Sequence, residues 1–111
     1  MTNDSEALDQ FASEVLAQGK VWIIEDSGGM AVVHSHLLPR DAVPFWSSEK
    51  LASNCCSGEW DDFRPRAVSL ERLLEVTIPR IEAAHALVGV NWKSDMTGAE
   101  YSPDELTTRL T

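Results

Sequence analysis

The chain has 111 residues, 43% hydrophobic and 24% charged, the composition of one folded domain; this excludes a disordered chain and leaves no room for a second core. Eighteen acidic residues against nine basic ones give a net charge of −9, a field that repels phosphate backbones and anionic headgroups and argues against nucleic acid and membrane surfaces as partners. No apolar run reaches the ~20 residues of a membrane span, and "MTNDSEALDQ" is acidic where a secretory signal is basic and then apolar, so the expectation is a single cytosolic domain over residues 1–111.

"NDSEALDQFASEVLAQG" spaces Leu8, Phe11, Val15 and Leu16 at helical intervals, with acids in the first turn and Gly19 just past the end. "KVWIIEDSGGMAVVHS" then gives two β-rich runs, about 20–25 and 30–35, around a turn of Asp26, Ser27, Gly28 and Gly29. Pro39 and Pro44 mark a connection into a short strand suited to a sheet edge or a strand start. Ser47 or Ser48 caps a helix over "SEKLASNCC", which Gly58 stops. Behind a Ser69 cap, Leu70, Leu73, Leu74 and Ile78 share a helical face, and Pro79 is expected to end or kink that helix. "ALVGVNW" reads as a central strand covered on both faces. Ser102, Pro103 and Glu105 form a capping box for the last helix, "PDELTTRL". The predicted fold is α+β: a single small sheet of about four strands with helices packed mainly on one face.

The candidates for chemistry are few. Cys55 and Cys56 are adjacent, too close in sequence to staple the fold, and stand at a helix C-terminus, which disfavours a thiolate; they are expected to be reduced, one buried and one partly exposed. His34 and His36 lie two apart near a strand end, half of a zinc ligand set, but Cys55, Cys56 and His85 complete no metal spacing. No metal and no cofactor is therefore expected. Asp61 and Asp62 form a carboxylate pair beside Arg64 and Arg66, which can neutralise it, and Arg64, Arg66, Arg72 and Arg80 cluster in the second half as a solvated surface. Trp22 and Trp92 fall in strand-like runs and are expected in the core, whereas Trp46 and Trp60 flank the short helix and either seal its ends or face a partner.

The order of the "VWIIEDSGGMAVV" hairpin, the "VPFWSSEKLAS" step, "GEWDDFRPRAVSLERLLEVTIPRI" and the closing "LVGVNW" and "SPDELTTRL" resembles the bacterial family catalogued as domain of unknown function 2750, from about Ala7 to Leu110. The layout is also similar to the N-terminal domain of SseB-type proteins. Neither resemblance implies a catalytic residue. With no catalytic signature assembled, the expected function is a non-enzymatic protein-binding or regulatory module, a monomer or weak homodimer. It meets a partner, for instance a basic toxin that it neutralises, through Trp46, Trp60, Asp61 and Asp62. The alternative is a small enzyme or a ligand- or metal-binding protein using His34, His36 and Cys55 or Cys56.

Overall fold

The computed structural model describes residues 3–35 and 39–111 and has an α+β architecture. Helix α1, Asn3–Gln18, buries Leu8, Phe11 and Val15 while Leu16 falls on the outer flank, 46% exposed. Gly19 ends it at φ +74°, a conformation that costs glycine little, and turns the chain directly into strand β1, Lys20–Asp26.

The predicted hairpin forms, but its second strand is divided. β2, Gly29–Met30, pairs with β1, whereas β3, Val33–His34, pairs with β4, Asp41–Phe45. The run therefore passes from one sheet to another. β5, Arg64–Ser69, lies antiparallel along β1, while β6, Leu87–Val90, runs parallel to β4 and takes β7, Ala99–Tyr101, on its far side. Two sheets result, in the orders β2-β1-β5 and β3-β4-β6-β7, in place of the single sheet expected. Reciprocal backbone hydrogen bonds of 2.8 Å between Trp22 and Trp46 join them.

Pro44 sits inside the second sheet rather than at its rim. The Trp46 amide and carbonyl bond Trp22, on the side of β4 away from β6, and alternation along the strand aims the nitrogen of Pro44 the same way. There β3 has already ended, having paired only with Asp41 and Ala42, so the missing donor leaves no ladder bond unmade.

Strand alternation divides the interior into two cores, where the chain's length was expected to allow only one, because the sheets are covered on both faces. Val21, Ile23, Val43, Phe45, Val88 and Val90 face one way, against Phe11 and Val15 of α1 and Leu106 of the C-terminal helix. Ile24, Ala42, Trp46 and Leu87 face the other way, against Ala52, Cys55, Trp92 and Met96. β6 is buried at all four positions, as a strand covered on both faces must be. Most helices do pack on one face, with the short α2, Glu49–Ser53, on the other. Ser48 caps α2, which stops at Ser53, well before Gly58.

The helix over residues 70–83 starts behind the Ser69 cap and continues through Pro79. It contains a π turn, Leu73–Thr77, in which the Ile78 amide donates to Leu73 five residues back. Proline lacks an amide hydrogen and its ring crowds the carbonyl one turn earlier; the wider turn just before Pro79 accommodates it where a regular helix would break. The helix closes with the amides of His85 and Ala86 donating to the carbonyls of Glu82 and Ile81, His85 taking φ +57°. The C-terminal helix, Pro103–Leu110, has the predicted capping box, and Arg109 ties it to Asp9 of α1.

Trp92 is 2% exposed and its indole lies across Gly89, where an added Cβ would stand 2.4 Å from Cε2. Gly89 is thus the space the ring occupies. Gly89→Ala is expected to destabilise the fold by about 1–3 kcal/mol, as overpacked cores do, measured by urea unfolding; an unchanged midpoint would refute the close approach.

Candidate functional site

Trp46 has no exposed surface, and its indole N–H donates 3.0 Å to the carbonyl of Trp92. The expectation that it faces a partner is corrected: the Trp22 pairing fixes its backbone so that the ring enters the second core. Trp60 is half-buried and packs edge-on against Phe63 at 4.8 Å, while Asp61 and Asp62 are exposed. Arg64 does not neutralise those carboxylates. Its Nη1 donates 2.7 Å to the carbonyls of Asp61 and Phe63, pinning the turn, and Arg66 pairs with Glu25 instead.

The alternative set is not assembled among the described residues. His34 is exposed on β3, 3.6 Å from Asp41; His85 is exposed at a helix end; His36 lies outside the described residues. No group of three His, Cys, Asp or Glu among the described residues could hold a metal ion. Cys55 is buried, its thiol 3.3 Å from the carbonyl of Lys93, and Cys56 is partly buried, its thiol directed to the carbonyl of Ala52. Burial, reinforced by the neighbouring Cys56, pushes the Cys55 thiol up to about 11. Burial also raises Cys56, opposed by the Arg64 guanidinium.

A different place concentrates charge and shape. A cleft of about 300 Å³ opens between the helix over residues 70–83 and the face of β1 and β5 that carries Ile23 and Val68, at the margin of the first core. Ile23 and Val68, buried in the sheet, and Val76 of the helix give it an apolar floor. Three of the chain's nine basic residues, Arg66, Arg72 and Arg80, line it. Arg66 stands opposite Ile23 in the strand register and its Nη1 reaches both oxygens of Glu25, at 3.0 and 3.3 Å. Among the described residues, Arg72 and Arg80 make no side-chain hydrogen bond or ion pair.

The π turn explains why the two helical arginines share this cleft. With 3.6 residues per turn, positions eight apart stand about 80° apart around an α-helix; one residue absorbed by the wider turn reduces this to about 20°. Arg72, Val76 and Arg80 are thereby brought onto one face. The arginine cluster was visible in the sequence, but its reading as a solvated surface missed that two elements fold it around one cleft. Pro79 inside an apolar helical pattern was the available signal.

Residues 8–110, nearly the whole chain, match the family described as "Protein of unknown function (DUF2750)". No curated protein matches the chain. No solved structure matches it either.

A folded-state thiol pKa near 11 against an ordinary 9.0 means that the folded protein keeps a proton the unfolded chain loses, so stability is full below about pH 9 and falls as pH rises toward 11. With iodoacetamide at mildly alkaline pH, Cys56 is expected to react before Cys55, which reacts only on unfolding. Equal rates for the two thiols would contradict this assignment.

Proposed function

Because the chain belongs to the DUF2750 family, whose description assigns no activity, its function has to be read from its own residues, and we propose that it is a non-enzymatic binding module of the cytosol that holds an anionic group in the arginine cleft. The observation that carries this reading is the pair Arg72 and Arg80: two guanidinium groups facing an apolar-floored cleft without partners among the described residues. Arginine forks match carboxylate and phosphate oxygens in two-pronged geometry, and next to low-dielectric walls each contact is stronger than in open water. In a chain of net charge −9 such a locus attracts an anion only at short range, which favours a specific site over a general electrostatic surface. Free, carbonyl-bonded thiols at Cys55 and Cys56 suit a reducing compartment.

A ligand that binds only the folded state raises the melting temperature by mass action. Phosphate or sulfate, added at constant ionic strength, is expected to raise Tm of the parent protein and to leave that of Arg72→Glu/Arg80→Glu unchanged. An equal rise in both proteins would mark a general salt effect and remove the reading.

The exposed Asp61 and Asp62 support a second reading. Arg64 fixes their turn by its carbonyls rather than their carboxylates, leaving both acids facing solvent beside half-buried Trp60. This surface fits a basic protein partner, such as a toxin held neutral. Cross-linking in cells is expected to place such a partner within reach of residues 60–62 and to lose it in Asp61→Lys/Asp62→Lys; cross-links that survive the charge reversal would exclude this surface.

A further inference from the structure

The balance of charge in the cleft narrows the anion it takes. Its ionisable lining consists of three arginines and Glu25, which leaves two positive charges, and Glu25 already occupies Arg66 through both of its oxygens. A lone carboxylate brings one negative charge and two oxygens, so it would leave one arginine uncompensated. A phosphate monoester brings close to two charges at neutral pH and three acceptor oxygens, enough for both free forks.

The uncharged lining agrees. Ser69 uses its Oγ as acceptor for the amide of Arg72, at 3.1 Å, which leaves its O–H to donate, and Thr77 belongs to the same lining. Ile23, Val68 and Val76 offer nothing to a bare inorganic ion but cover the organic part of an ester. The cleft volume of about 300 Å³ is at the small end of ligand sites, which run from roughly 300 to 1,000 Å³, and so suits a small molecule.

Resting on the reading of the cleft as an anion site, we propose that its ligand is a small-molecule phosphate monoester: the dianion lies between Arg72 and Arg80 and the organic group lies on the floor formed by Ile23, Val68 and Val76. No covalent step is involved. The second ionisation of such an ester lies near pH 6, and among the described residues no histidine lines the cleft, so a change of affinity across that interval reports the charge of the ligand.

Isothermal titration calorimetry with phenyl phosphate, benzoate and inorganic phosphate tests this directly. At about pH 7.5 phenyl phosphate is expected to bind at least about tenfold more tightly than benzoate, and to weaken several-fold at about pH 5.5, where only about a quarter of it remains a dianion. Arg72→Gln and Arg80→Gln, both at exposed positions and checked for folding by circular dichroism, are each expected to weaken it about tenfold. Benzoate binding as tightly as phenyl phosphate would overturn the phosphate assignment while leaving an anion site in place. Inorganic phosphate binding as tightly as phenyl phosphate would overturn the ester. Failure of all three probes to bind would overturn both this proposal and the anion site itself.

Discussion

The two backbone hydrogen bonds between Trp22 and Trp46 are the contact on which the architecture depends. They bring β1, otherwise flanked by β2 and β5, against the end of β4, and thereby turn two small sheets into one continuous interior wall. With its backbone held there, the Trp46 ring has only the second core to enter. Burying a side chain of roughly 200 Å² at about 25 cal/mol/Å² is worth about 5 kcal/mol as an upper estimate, several times the roughly 1 kcal/mol net of a hydrogen bond. Burial therefore supplies the stability, and the indole bond to the Trp92 carbonyl selects the orientation.

A second lock lies beside it. Asn91, just past β6 at φ +48°, accepts the Ser47 amide at 2.9 Å on its side-chain oxygen, while its own amide donates to Phe45. The ends of the two parallel strands are thus fastened side chain to backbone. Cys55 completes the arrangement by directing its thiol to the Lys93 carbonyl. The adjacent cysteines, the most conspicuous residues for chemistry, form part of this packing on the opposite side of the sheet from the arginine cleft, and neither lines that cleft.

The cleft follows from a conflict between local and tertiary demands on the helix over residues 70–83. Leu73, Ile78 and Ile81 are its buried residues, spaced five and then three apart, a pattern that a regular α-helix spreads too widely to bury together. The π turn returns them to one face and relieves the helix of Pro79 at the same point. The same rotation, on the other side, presents Arg72, Val76 and Arg80 to the sheet. One local irregularity thus serves the core and shapes the surface facing β5.

The sequence by itself determined the features that depend on near neighbours. The Ser69 cap, a serine cap at Ser47 or Ser48, the Ser102–Glu105 capping box, the glycine that ends α1, the β1–β2 turn and the fully buried character of β6 all follow from residues within a few positions of one another. Tertiary structure alone decided what depends on distant partners. It split the second hairpin strand between two sheets, sent Trp46 inward, and gave Pro44 a place where β3 had ended. It also folded Arg66 from a strand and Arg72 and Arg80 from a helix around one cleft. The physical reason is the same in each case: caps and turns are satisfied by bonds a few residues long, whereas burial and charge convergence depend on which surfaces meet once the whole chain has packed.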